Sequence, residues 1–212
     1  MVMTPVQFLF DFGSPNAYLA HQVIPQIEAR TGVRFDYVPI LLGGLFKLAN
    51  NRSPVVAFAD IPNKLAYERR EMQRFVQRHA LTAFRMNPHF PVNTLQIMRG
   101  AVAAQRLGCL MPYVDTVYAS MWERGCNMAE ASVIAQELTA AGLDAAALLA
   151  ESQLPEVKQQ LLTNTEQAYA RGAFGSPTFF VGDEMFFGKD KLHEVEALAS
   201  AAAVHKQIDA DT

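Results

Sequence analysis

The chain has 212 residues, half of them hydrophobic and 18% charged, which suits one folded domain and is far from the composition of a disordered chain. Lys and Arg number 18 against 21 Asp and Glu, a net charge of -3, so there is no overall basic field for nucleic acid or anionic lipid, and a small partner is expected. No apolar stretch approaches the ~18 residues of a membrane span, and Met1 to Phe12 lacks the basic and long apolar regions of a secretory leader. A soluble cytoplasmic protein is expected, with disorder confined to the tail after about Val204.

Val6 to Phe12 reads as a buried strand that Gly13-Ser14-Pro15 turns into a helix from Asn16 to Thr31, Pro15 suiting the first turn because its missing N–H costs nothing there. Gly32 ends that helix, and Arg34 to Ile40, rich in β-branched and aromatic residues, predicts a second strand. A short helix from Gly44 to Ala49 and a loop from Asn50 to Pro54 follow. Between about Asp60 and Gly172 the period is helical: Lys64 to His79, Thr94 to Leu107, Met111 to Arg124, Ala129 to Ala141 and Glu156 to Arg171. Asn93 caps the second of these, Gly108 closes it, and Pro112 and Pro155 open two others. Strands return at Thr178 to Val181 and Met185 to Phe187 around a Gly182-Asp183 turn, and Asp190 caps a final helix from Lys191 to Ala203. This order predicts an α/β thioredoxin-like fold with an all-helical insertion: residues 1–63 and 173–212 form the thioredoxin-like domain and 64–172 the helical subdomain.

In such a fold the turn from the first strand into the first helix offers free N–H groups and the positive end of the helix dipole. Redox members place Cys-Pro-x-Cys there because a helix N-terminus lowers a thiol pKa. Here the four residues are Ser14-Pro15-Asn16-Ala17. Cys109 and Cys126 fall in the helical region without Cys-x-x-Cys or zinc-ligand spacing, so a thiol working at Ser14 must come from another molecule. A serine hydroxyl can donate to an incoming thiolate, whereas on residue type alone Ser14 reads equally well as an N-cap. In Gly175-Ser176-Pro177-Thr178 the proline precedes an apolar strand; if the bond is cis, the turn faces Ser14 and the Ser176 backbone can pair with an extended peptide such as glutathione. The alternative is a surface loop with a trans proline.

The residues Phe10-Asp11-Phe12-Gly13-Ser14-Pro15-Asn16-Ala17-Tyr18-Leu19, with Gly175-Ser176-Pro177-Thr178 and Phe187-Gly188-Lys189-Asp190-Lys191-Leu192, resemble 2-hydroxychromene-2-carboxylate isomerases, relatives of kappa-class glutathione transferases. The resemblance implies a DsbA-like fold, a homodimer, glutathione as cofactor, and interconversion of 2-hydroxychromene-2-carboxylate and trans-o-hydroxybenzylidenepyruvate in aromatic hydrocarbon breakdown. By position Ser14 matches the catalytic serine, Ser176 with Pro177 the turn that pairs with the glutathione cysteine, and Phe187, Gly188, Lys189 and Asp190 the γ-glutamyl-binding turn. Lys64 resembles a kappa-class lysine at the glycine end, at a longer spacing. Lys47, Asn51 and Arg52 match a polar loop facing the substrate, and Asn87, Pro88, His89 and Phe90 a wall against a small aromatic carboxylate. The chain departs from the pattern at Ser176, where an aliphatic residue is common, at Lys189, where a small polar residue is usual, and at the Phe186-Phe187 pair, which replaces a tryptophan-containing one. Plain readings stand beside these: Asp190 as an ordinary N-cap, Lys47 and Arg52 as solvated charges, and Asn87 to Phe90 as a capped interhelical loop.

On this reading the glutathione thiolate adds to the electron-poor alkene of the pyruvate, the resulting single bond rotates, and elimination returns the thiol. A kappa-class transferase that keeps glutathione in its product, and a non-redox thioredoxin-like module that binds peptide at Ser176, remain alternatives. Ser14 lacks the Gly-x-Ser-x-Gly elbow of a hydrolase and none of His21, His79, His89, His193 or His205 is an obvious base. The Gly182 to Lys189 stretch does not fit a phosphate loop, and no His-Glu-x-x-His pair suggests a metal.

Overall fold

A computed structural model describes residues 6–210. Strand β1 (Val6–Phe10) runs parallel to β2 (Phe35–Pro39) and antiparallel to β3 (Thr178–Val181), which pairs antiparallel with β4 (Glu184–Phe187), giving the order β2-β1-β3-β4. Strand β1 lies inside the sheet with a cluster packed on each face, and apart from the partly buried Gln7 its residues are buried, which is why it reads as a mostly apolar run. Val6, Phe8 and Phe10 face the main core, where the Phe8 ring stacks on Phe179 at 5.2 Å and meets Tyr37 edge-on at 4.9 Å. Leu9 joins a smaller cluster with Ile40, Leu45, Ala168, Ala173 and Phe180.

Helix α1 (Pro15–Thr31) ends at Gly32, whose φ of 71° is the left-handed conformation that lets its N–H reach the Glu28 carbonyl at 2.9 Å. Helix α2 (Leu42–Leu48) leads to a single turn, α3 (Pro54–Ala57), that the loop chemistry of this stretch concealed. Helices α4 (Pro62–Arg78), α5 (Leu95–Arg106), α6 (Leu110–Trp122), α7 (Ala131–Ala140), α8 (Ala145–Glu151) and α9 (Pro155–Ala170) follow. The alanine-rich stretch from Ala140 to Ala150 supplies α8, capped by the Asp144 carboxylate on Ala147 N–H at 2.9 Å.

Three expectations are corrected. Thr94, not Asn93, holds the cap position of α5; Asn93 accepts from Leu95 N–H at 3.1 Å, and the Thr94 hydroxyl turns away to Asp11. Asp190 caps no helix: it sits inside a 3-10 turn (Lys189–Lys191) entered at Gly188, and α10 (Leu192–Ala210) begins after it. That last helix also extends beyond Val204, the point at which order was expected to end.

The main core is continuous from the sheet face through α1, α5 and α6. Two of its residues grip the segment between β1 and α1: the Trp122 indole donates to the Phe12 carbonyl at 2.8 Å, and the Met98 sulfur accepts from Phe12 N–H at 3.4 Å. The helices between β2 and β3 thus fix the turn on which the site is built.

Candidate active site

Ser14 lies against the second-half proline turn. Its hydroxyl donates to the Ser176 carbonyl at 2.8 Å and accepts from Ala17 N–H at 3.2 Å, and the Ser176-Pro177 bond is cis. Ser14 therefore caps α1 and at the same time faces the proline turn. Pro15 has no N–H and Ala17 and Tyr18 donate to Ser14, so the first turn of α1 keeps Asn16 N–H as its remaining donor. Ser14 is only 5% exposed, so an anion held there would be largely desolvated.

Sequence reasoning missed the residue that ties this site together. Asp11 is fully buried; its Oδ1 accepts from Gly13 N–H at 2.7 Å, and its Oδ2 from Leu42 N–H at 2.8 Å and the Thr94 hydroxyl at 3.1 Å. Its own N–H donates to Ser176 Oγ at 3.2 Å, and its carbonyl accepts from Ser14 N–H at 3.0 Å. Burial pushes its carboxyl pKa above the ordinary value, against the opposing pull of the hydrogen bonds from Leu42, Gly13 and Thr94. The available signal was a carboxylate between two phenylalanines in a buried strand, where an unpaired charge is rare.

The turn after β4 joins the same region. Gly188 N–H donates to the Pro177 carbonyl at 2.9 Å, and the half-exposed Phe187 ring packs on Phe174 at 4.5 Å. A Cβ on Gly175 would come within 2.6 Å of the Phe187 ring, so this glycine is needed for the ring to lie over the proline turn. Lys189 is 4% exposed: its ammonium lies 4.9 Å from the centre of the Phe75 ring and contacts both Asp190 oxygens at 2.8 Å. Asp190 is therefore already engaged by a cation, although its side chain is 62% exposed.

Asn51 is tethered to the turn, donating to the Phe174 carbonyl at 2.9 Å while its side-chain oxygen accepts from Arg52 N–H. Lys47 and Arg52 are exposed and make no ion pair among the described residues. Lys64 lies over the Phe58 ring at 4.3 Å and pairs with Glu68 at 3.2 Å. Asn87 is buried and spends its amide on the Met121 and Cys126 carbonyls, each at 2.9 Å, and its oxygen on His89 N–H, so it organises a loop. His89 is exposed, and Phe90 packs 6.0 Å from Trp122. Ser14, Ser176, Pro177, Gly188, Phe187 and Asn51 thus form one connected set, to which, among the described residues, no hydrogen bond joins Asn87 or His89.

The larger described cavity, about 530 Å³, contains none of these residues; it lies between β2, α5 and α9 and is lined by carboxamides such as Gln105, Gln160 and Asn164. Among the described residues no helix is long and apolar enough to cross a membrane, and no cluster of three His, Cys, Asp or Glu could hold a metal ion.

Residues 5–199 match the family model of the DSBA-like thioredoxin domain. The chain belongs to this family. Among DsbA-like proteins it is 27% identical over 194 residues to a 2-hydroxychromene-2-carboxylate isomerase of Sphingobium xenophagum, covering 91% of this chain and 96% of that protein. It is 25% identical over 205 residues to glutathione S-transferase kappa 1 of Homo sapiens, covering 88% and 87%. A solved 2-hydroxychromene-2-carboxylate isomerase superposes with a TM-score of 0.79 at 27% identity, over 97% of this chain and 98% of that one. The resemblance read from the three motifs thus extends over nearly the whole chain. This DsbA-like chain carries Ser14 where redox members of the fold carry a cysteine, and its two thiols lie elsewhere, both partly buried.

Proposed function

We propose that this protein is a glutathione-dependent isomerase of the 2-hydroxychromene-2-carboxylate type, acting on a small aromatic carboxylate. The observation that carries the reading is the Ser14 hydroxyl set 2.8 Å from the Ser176 carbonyl across a cis-proline turn, in a fold position without a cysteine. The relatives named as isomerases and as a kappa transferase support it.

The donor set at the proline turn fits a peptide thiol. The Ser176 carbonyl has a second lone pair for a peptide N–H, and Ser14 Oγ–H and Asn16 N–H are donors beside a desolvated point. The turn from Phe187 to Asp190 fits a γ-glutamyl group less fully, because Lys189 already occupies the Asp190 carboxylate. Bound there, glutathione would supply a nucleophilic sulfur that adds to a conjugated alkene and leaves again, converting the double bond transiently into one that rotates.

Ser14 holds the charge. Its proton is directed to Ser176 in the free protein, so a peptide N–H taking up that carbonyl releases the hydroxyl to turn toward the sulfur, where a hydrogen bond to an anion is stronger than one to a carbonyl. The dipole of α1 adds to the same effect. Lys47 and Arg52, exposed and without an ion pair among the described residues, are cations for the substrate carboxylate, and Asn51 keeps their loop against the proline turn.

The test is the rate at which the chromene acid isomerises with and without glutathione. Strict dependence on the thiol is expected; equal rates would exclude it. Accumulation of a glutathione conjugate from an electrophile, without isomerisation, would favour the kappa transferase.

A further inference from the structure

We propose that Asp11 is a positioning residue for Ser14: a buried carboxylate without a cation that sets the orientation of the Ser14 hydroxyl by holding the β1–α1 turn and Ser176 at fixed spacing. The proposal rests on the assignment of Ser14 as the group that meets the thiol.

The hydrogen-bond geometry carries it. Gly13 N–H and Leu42 N–H can only donate, so each requires an acceptor, and they reach different oxygens of the same carboxylate, Oδ1 at 2.7 Å and Oδ2 at 2.8 Å. Only a carboxyl supplies two acceptor oxygens in that place. Thr94, the third partner at 3.1 Å, can donate or accept. The Asp11 main chain meanwhile touches both halves of the site, its carbonyl receiving Ser14 N–H and its amide donating to Ser176 Oγ. One residue therefore links the starts of α1, α2 and α5 to the proline turn.

No Lys, Arg or His forms an ion pair or hydrogen bond with Asp11 among the described residues. The groups facing it are Gly13 and Ser14 from its own turn, Leu42 from α2, Thr94 from α5, Ser176 from the proline turn and, acting through space, the titratable Tyr118 from α6, whose hydroxyl has no hydrogen-bond partner among the described residues. Burying a carboxyl group without a cation is costly, and a purely structural need for one hydrogen bond would be met as well by a side chain that cannot ionise.

Asp11→Asn is nearly isosteric but replaces one acceptor oxygen with a donor, so in either orientation it confronts Gly13 N–H or Leu42 N–H with a second N–H. Thr94→Val leaves both N–H bonds and removes only the third support. We expect Asp11→Asn to lower kcat for isomerisation by about tenfold with a smaller change in KM for glutathione, and Thr94→Val to lower it several-fold in the same sense. A crystal structure of Asp11→Asn should show Ser14 Oγ displaced from the 2.8 Å contact with Ser176. Should Asp11→Asn not fold, Thr94→Val carries the test. An unchanged Ser14–Ser176 contact together with an unchanged kcat, in whichever variant folds, overturns the proposal; so does a loss confined to KM. If wild type proves inactive with glutathione while the variant still displaces Ser14, the cofactor assignment fails and the positioning role stands.

Discussion

Replacing Ser14 by alanine removes two hydrogen bonds at once, and the structure separates their consequences. The bond accepted from Ala17 N–H is a helix cap, whose loss costs on the order of 1 kcal/mol, and the bond donated to the Ser176 carbonyl contributes a similar amount. Together they predict about 2 kcal/mol of lost stability, and for a chain of this size a Tm lowered by roughly 4–8 °C, which leaves a folded protein at assay temperature. The catalytic loss should be larger. A hydrogen bond to a charged partner contributes roughly 1.5–3 kcal/mol, so losing the donor to a bound thiolate should slow isomerisation by about 10- to 150-fold at saturating glutathione. The two effects are read independently, the first by circular dichroism melting and the second by initial rates on the chromene acid. A variant melting several degrees lower yet turning over within about twofold of wild type would refute the reasoning, because Ser14 would then be a cap alone.

Other consequences follow from the same geometry. Gly175→Ala places a Cβ against the Phe187 ring, so we expect about 1–3 kcal/mol of destabilisation and weaker glutathione binding, both partly rescued by Phe187→Leu, measured by melting and calorimetry. Gly100→Ala drives a Cβ into the Tyr113 hydroxyl, which donates to the Ile97 carbonyl; roughly 2–4 kcal/mol should be lost in denaturant titration. Asp190→Ala removes the partner of a buried ammonium and should destabilise the chain by about 1–3 kcal/mol, more than Lys189→Met, which keeps the apolar contact with Phe75. Burial raises the Asp11 pKa in the folded chain, so the folded state holds this proton more tightly than the unfolded one. Its contribution to stability therefore falls as pH rises from the ordinary value of 3.8 through the folded pKa, and wild type should lose stability relative to Asp11→Asn over that interval; a difference in Tm that stays flat with pH would contradict this.

The strands and most helices were legible because the chain marks their ends locally. Pro15 and Pro155 open helices, Gly32 closes one, and β1, buried except at Gln7, appears as a mostly apolar run. Ser14 was legible for the same reason, standing in a four-residue turn whose chemistry depends on neighbours in sequence. Asp11 was not, since its partners Leu42 and Thr94 lie 31 and 83 residues away and meet it only when α2 and α5 dock. Lys189 was legible only as a member of the turn after β4; a long side chain can bury its stem, and nothing local shows that Phe75 of α4 will lie beneath the ammonium. Asn87 admitted a substrate role or a loop role, and the loop part depended on the Met121 and Cys126 carbonyls, 34 and 39 residues away, which its amide meets only in the folded chain.

The central claim is that Ser14 and the start of α1 keep another molecule's sulfur ionised. Its most direct test is the pH at which the thiol of bound glutathione ionises, followed by thiolate absorbance in wild type and in Ser14→Ala. An ordinary thiol ionises near pH 8.5. The account predicts a midpoint well below that value in wild type and one shifted back toward it in the variant. A bound thiol that ionises at its free value in wild type, or at the same pH in both proteins, would contradict it.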